Sequence, residues 1–553
     1  MPGRFAHLRH YARSLSFTGL ALGWGFFLLS LTPSLMPRGW QAQGFVSGSA
    51  LAQGYGLGVA AAWAGRRLGI PKPSARVRRQ AWFVLAGLAL VTIPAAVVLS
   101  SLWERRVREA VGIPGTGPFL YAGVCLIAAA LAAAIVGVVR LIHDVYHVLA
   151  ARLRRLLLLP AGLTRLLATG LLVVLAVGVA TGFTDQVALR LADLAFSADN
   201  NGNLPRVTRP LSPLRSGSPA SLVSWDSLGL QGRAFVSGGP IPAWIARFTG
   251  HRAVEPIRVY VGVRSAPTLQ AEANLALREL KRTGAFRRAL LGVAIPTGRG
   301  SVYGTLADPL EYMYGGNTAI AAIQYSYQPS WISFVAQRPQ ARQAGRALFN
   351  TIYAYWSTLP PAHRPRLVVF GESLGAYGAE AAFSGVADLT ARTSGALFVG
   401  PPNSSEVWRE LTSARVKGSP EWLPVYGDGR TVRFAASAAD LRLPGGALRH
   451  PRIVYLQHAS DPVVWWSPDL LWHKPDWLTE PRAPDVTSQM QWYPLVTFWQ
   501  VTADLIVSST APGYGHHYAA EVPTAWAAIL HPPGWTSAET ARLTASATAA
   551  RLP

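Results

Sequence analysis

The stretch LVVFGESLGAYGAEAA, residues 367–382, runs from an apolar, β-favouring segment through Gly371-Glu372-Ser373-Leu374-Gly375 into residues rich in alanine and glutamate. A G-x-S-x-G pentapeptide arises by chance roughly a few tenths of a time in a chain of this length and glycine content, so its flanks decide its meaning. Arg364-Pro365-Arg366 reads as a turn, Leu367 to Phe370 as a short strand, and the residues after Gly375 as helix. Strand, tight turn and helix make the setting of a nucleophile elbow. Small residues at 371 and 375 let the backbone turn sharply and expose a serine hydroxyl at the strand's C-terminal end. The competing reading is an ordinary strand-to-helix turn that happens to contain a serine.

Outward from this stretch, strand-like and helix-like segments alternate, which predicts a mostly parallel α/β sheet. Strands are expected at 257–263, 289–295, 319–327, 366–370, 395–400 and 452–458, with helices at 268–283, about 307–315, 339–358, 375–385 and near 494–508. A serine hydroxyl needs a base to take its proton, and the base needs a carboxylate to orient it. On such a scaffold the chain order is serine, acid, histidine. RIVYLQH runs into Ala459-Ser460-Asp461-Pro462, which puts Asp461 just past a strand end, and APGYGHHYAAE places His516 and His517 in a glycine-flanked loop before the last helix. The plain alternatives are a turn-initiating Asp-Pro and surface or capping histidines. No H-E-x-x-H or comparable spacing suggests a metal site, and no cofactor is expected.

The first 200 residues have a different character. Half of the chain's 553 residues are hydrophobic and 14% are charged, too apolar and too long for one ordinary soluble domain. Five stretches, near 17–35, 45–65, 81–102, 119–139 and 163–183, reach the roughly 20 residues a hydrocarbon core demands. In the second, Gly54 and Gly58 form a small-xxx-small pair suited to close helix packing. Net charge is +23, nearly all from arginine, and the basic excess is concentrated in this apolar half, with 19 basic against 6 acidic residues before position 200. Basic residues at 66–79 and 140–165 place those loops and the N-terminus in the cytoplasm, and an odd number of spans then carries everything after about 185 outside. The charge is thus read as setting membrane orientation; no nucleic-acid motif accompanies it. Cys125, the single cysteine, lies in an apolar stretch and permits neither a disulfide framework nor a cysteine zinc site. The expected organisation is a transmembrane helical domain at 1–196, a Pro/Ser/Gly-rich linker and lead-in at 197–256, and a catalytic domain at 257–553.

Several segments resemble the bacterial integral-membrane α/β-hydrolase family, abundant in actinobacteria, which joins a multi-span N-terminal domain to a C-terminal hydrolase domain. They are LTPSLMPRGW (31–40), RPRLVVFGESLGAYGAE, PRIVYLQHASDPVVWW, DVTSQMQWYPLVTFWQVTADL and GYGHHY, and they extend over nearly the whole chain. The resemblance implies Ser373 as nucleophile, Asp461 as acid and His516 as base, since the family's Gly-x-Gly-His corresponds to Gly513-Tyr514-Gly515-His516. The middle position is often histidine in relatives and is Tyr514 here, with an extra histidine at 517. An oxyanion hole needs two backbone N–H groups. Leu374 supplies one, and Thr297 or Gly298 in AIPTGRGSVYG (294–304) is expected to supply the other. Family members commonly have Gly-Thr-Gly-Trp where this chain has Gly298-Arg299-Gly300-Ser301. Glu372 could tune the site, although that elbow position usually points away from the chemistry.

The expected function is a membrane-anchored serine esterase or lipase acting through an acyl-enzyme, with the bilayer and a lipidic or cell-envelope acyl ester as partners. Tethering to a bilayer favours such substrates. Six tryptophans between 465 and 499 either pack a cap over the core or meet lipid at the interface or along an acyl channel. Two other classes compete: an acyltransferase of the same fold, and a membrane scaffold or transport protein with an inactive hydrolase domain. Scarcity of charged residues inside the spans argues against an ion pathway.

Overall fold

The computed structural model describes residues 14–548 apart from 72, 114–121, 158–159, 161, 165, 170, 172–198, 330–332, 335–336, 444, 447 and 450–451. The chain divides into two units, one formed by 1–190, 468–478 and 486–507, the other by 191–467, 479–485 and 508–553.

In the first unit α1 (Phe17–Ser30), α2 (Trp40–Arg67), α3 (Ala75–Ala110) and α4 (Ala122–Leu157) follow in order. Ser16 and Ser74 cap α1 and α3 by accepting the N–H groups of Gly19 and Val77, which satisfies donors that a helix start leaves orphaned. Glycines set the approach of α1 to α2. A Cβ on Gly58 would overlap the Thr18 carbonyl, and one on Gly54 would lie 2.8 Å from the Leu22 carbonyl oxygen.

Two helices, α3 and α4, rather than five, are long and apolar enough among the described residues to cross a membrane. The stretch read at 17–35 becomes the 14-residue α1, too short for a hydrocarbon core. The stretch at 45–65 lies in α2, which is long but turns polar residues inward: Gln43 Nε2 donates to the Ser30 carbonyl at 2.8 Å and to Ser47 Oγ at 2.9 Å. Those at 81–102 and 119–139 correspond to α3 and α4, and most of 163–183 lies outside the described residues. On α3 and α4 large apolar side chains face outward, with Leu90 77% and Leu126 76% exposed, the reverse of a core helix in water.

Helix Val496–Val507 also packs in this unit. Its buried Asp504 accepts hydrogen bonds from Ser34 Oγ at 2.5 Å, Leu35 N at 3.1 Å and Met36 N at 3.4 Å, with Arg38 Nε 3.4 Å away. The segment LTPSLMPRGW thereby closes a clamp on one carboxylate.

The second unit is built on a seven-stranded, wholly parallel sheet in the order β1-β3-β2-β4-β5-β7-β6. The strands are β1 (Ile257–Val261), β2 (Leu290–Ile295), β3 (Thr318–Ile323), β4 (Arg366–Glu372), β5 (Gly395–Val399), β6 (Val432–Ala435) and β7 (Arg452–Leu456). Almost every strand residue is buried, as expected of parallel strands covered on both faces. Helices α5 (Leu269–Arg282), α6 (Gly304–Met313), α7 (Arg338–Trp356), α8 (Leu374–Glu380) and α9 (Val522–Leu530) surround it. Residues 214–216 run beside β1, where Arg258 N donates to the Leu214 carbonyl at 3.2 Å and Ser216 N to that of Arg258 at 3.0 Å, covering an exposed sheet edge. Strand β6 has no counterpart in the sequence reading. The adjacency of β2, β4, β5 and β7 gathers the loops after them at the sheet's carboxyl end, where ligands of open parallel sheets bind.

Candidate active site

Ser373 stands at the junction of β4 and α8 with φ 58° and ψ −126°, a conformation a non-glycine residue adopts only when its surroundings enforce it. Three contacts do so. Ser373 N donates to the Val399 carbonyl of β5 at 2.9 Å. A Cβ on Gly371 would overlap the Gly375 backbone, and one on Gly375 would overlap the Ile295 carbonyl at the end of β2. The elbow is therefore wedged between its neighbouring strands, and the first residue of α8, Leu374, has the N–H orientation of a helix start.

Asp461 follows β7, fully buried, and caps the short helix Pro462–Trp465 by accepting Val463 N on Oδ1 at 2.8 Å. Its Oδ2 lies 2.6 Å from His516 Nδ1 and accepts the Tyr518 hydroxyl at 2.6 Å. His516 is fixed in turn. Its N–H donates to the Ser508 carbonyl at 2.7 Å, while the preceding Gly515 donates to Ser460 Oγ at 3.0 Å and its carbonyl lies 2.8 Å from His458 Nδ1. His517 takes a different direction, its Nδ1 accepting Gly513 N at 3.2 Å. Between the alternatives left by the residue pattern, the fold brings His516 to Asp461.

The ring of His516 covers Gly400, the residue after β5, where a Cβ would overlap the imidazole. Its Nε2 is buried without a hydrogen-bond partner and lies 3.9 Å from Glu372 Oε1. Glu372 thus faces the histidine instead of pointing away from it. Burial lowers the His516 pKa, but the Asp461 carboxylate, its hydrogen bond and Glu372 outweigh that, and the net shift is upward from the ordinary histidine range. Burial raises Glu372 to about 7 against the pull of His516.

Of the two nominated loop donors, Thr297 has its N–H engaged by the Ser301 carbonyl at 3.0 Å, and its carbonyl accepts Gly300 N at 2.8 Å. The carbonyl of the next residue, Gly298, is held by Ser333 Oγ at 3.1 Å. The tryptophans divide. Trp465 and Trp477 are buried, Trp466 packs edge-on against Phe334, and Trp472 is 65% exposed. The sequence reading did not identify Tyr518 or Gly400. Tyr518 carried a signal, standing two residues past His516 in GYGHHY.

Among the described residues no group of three or more His, Cys, Asp or Glu side chains forms a metal cluster. Comparison with known families gives two matches: an alpha/beta-hydrolase family over residues 257–543 and the N-terminus of an alpha/beta-hydrolase family over 31–240. No curated protein and no solved structure matches the chain. With more than half of its length, including the sheet, the elbow and the loops after β7, inside the first match, the chain belongs to the alpha/beta-hydrolase family.

Proposed function

We propose that this protein is a membrane-anchored serine hydrolase of lipidic acyl esters. Ser373 Oγ attacks the acyl carbon as His516 Nε2 takes its proton, and Asp461 fixes the imidazole with Nδ1–H toward the carboxylate. The developing oxyanion is received by the N–H groups of Leu374 and Gly298. Collapse returns the proton to the departing alcohol, leaving an acyl-enzyme for water to resolve. The observation that carries this reading is the conjunction of a wedged, positive-φ serine after β4 with a buried 2.6 Å His516–Asp461 pair, in which Asp461 follows β7 and the His516 ring covers Gly400 after β5. The lipidic substrate class is supported by the outward apolar faces of α3 and α4.

Extracytoplasmic placement of the catalytic unit requires an odd number of crossings. Helices α3 and α4 supply two, so a third is a requirement of that placement. One experiment tests chemistry and side together. A membrane-impermeant fluorophosphonate is expected to label the protein on intact cells and to leave Ser373→Ala unlabelled. Labelling of the alanine variant rejects Ser373, and labelling of the wild type only after lysis places the unit in the cytoplasm.

A further inference from the structure

The two ring nitrogens of His516 face two different carboxyls. Asp461 holds Nδ1 at 2.6 Å, and Glu372 Oε1 stands 3.9 Å from Nε2, the nitrogen with no hydrogen-bond partner. Glu372 ends β4, so the backbone that wedges Ser373 also fixes the neighbouring carboxyl. The titratable groups that interact with it are His516, Asp461, Tyr303 and Tyr518. Arg299 acts on Tyr303 and not among the causes that shift Glu372. Among the described residues the cation placed to face Glu372 is therefore the imidazolium itself.

We propose that Glu372 is a positioning carboxylate of the reaction, which, when ionised, holds the positive charge His516 gains on taking the Ser373 proton. The inference rests on the serine-hydrolase reading above. In the acylation step Ser373 Oγ bonds to the acyl carbon, the carbonyl π pair moves onto oxygen, and the serine proton passes to Nε2. The imidazolium then lies between two carboxylates. When the tetrahedral intermediate collapses, the Nε2 proton leaves with the alcohol and the imidazole is neutral again. Glu372 neither gives nor takes a proton in this cycle. An opposite charge about 4–6 Å away favours the charged form of a buried group, and Nε2 is where that charge arrives. With its carboxyl raised to about 7 by burial, Glu372 supplies the negative form from neutral pH upward.

The test is the second-order rate of Ser373 labelling by a fluorophosphonate, measured from pH 5 to 9 on the full-length protein for wild type, E372Q and E372D. Labelling needs neutral His516, so the rate rises with pH through the histidine titration. E372Q removes a negative charge beside the imidazole and lowers its pKa. The rising limb is expected to move to lower pH by roughly one unit, and the plateau to fall about three- to tenfold. E372D, which keeps a carboxylate on a shorter stem, is expected to lie between the two. A limb that stays in place in E372Q, with an unchanged melting temperature, overturns the inference and leaves the serine-hydrolase reading standing. Labelling that survives Ser373→Ala overturns that reading instead. Should E372Q fail to fold, E372A carries the test: a limb displaced downward supports the inference and an unmoved one overturns it.

Discussion

The two units distribute polar and apolar residues differently, although both enclose an apolar cluster, Phe27, Leu31, Val124 and Ala128 forming that of the helical unit. In the sheet, Leu367, Val369, Phe398 and Tyr455 are closed off from solvent, whereas in the helical unit the enclosed positions include Gln43, Ser47 and Asp504, while Leu90 and Leu126 face out. Both are apolar in composition, and the outward apolar faces of α3 and α4 fit the membrane setting proposed above. Water drives apolar side chains together. In lipid that drive is absent, and helices associate through close backbone approach and hydrogen bonds. The glycine contacts of α1 with α2 and the Gln43–Ser30–Ser47 network follow that second pattern.

The strongest way to break this contrast is to remove the polar centre of the helical unit. Asp504→Ala leaves Ser34, two backbone amides and Arg38 facing a void where a carboxylate stood. Deleting one partner of a buried ion pair costs about 3–5 kcal/mol. Thermal unfolding in detergent is expected to register a loss of that size, and a loss below about 1 kcal/mol would show the clamp to be incidental. Helix Val496–Val507 ends one residue before Ser508, whose carbonyl holds the His516 N–H, so fluorophosphonate labelling of the same variant is expected to slow as well.

Next in size is a change of one methyl group in the sheet unit. Gly400 has φ +51°, and a Cβ there would overlap the His516 ring and stand 2.9 Å from Asp461 Oδ2. Gly400→Ala is expected to push the imidazole off its carboxylate and lower the labelling rate about 100-fold, the cost of misplacing a catalytic group by about 1 Å. The melting temperature should fall as well, since the added methyl strains a buried positive-φ residue and loosens a buried ion pair. Wild-type labelling by this variant would mean that His516 is not the base.

What the sequence disclosed follows from the same physics. Buried parallel strands read as unbroken apolar runs, so six of seven strands and the elbow were visible without coordinates. Strand β6 was not, because Val432–Ala435 is four residues long among turn-forming neighbours. The stretch in α2 was counted as a span on length and alanine content, although the helix's glycines, serines and glutamines leave it less apolar than the stretches in α3 and α4. The Ser34–Asp504 bond joins positions 470 residues apart, and no local pattern announces such a contact. Whether Glu372 faces the site stayed open in the sequence, because the histidine it meets comes from a loop 144 residues further along the chain.

The smallest effect is also the most discriminating. Leu367→Ala in β4 and Leu90→Ala in α3 delete the same atoms from side chains that are 0% and 77% exposed. The first creates a cavity in a packed core and is expected to cost about 2–5 kcal/mol. The second only shortens a side chain that already faces the surrounding medium, so unfolding in detergent should move by less than about 0.5 kcal/mol. The outcome that matters is a large loss at Leu90. It would mean that protein, not lipid, covers the outer face of α3, and the apolar surface of the helical unit would then be an interface awaiting a further chain segment or subunit.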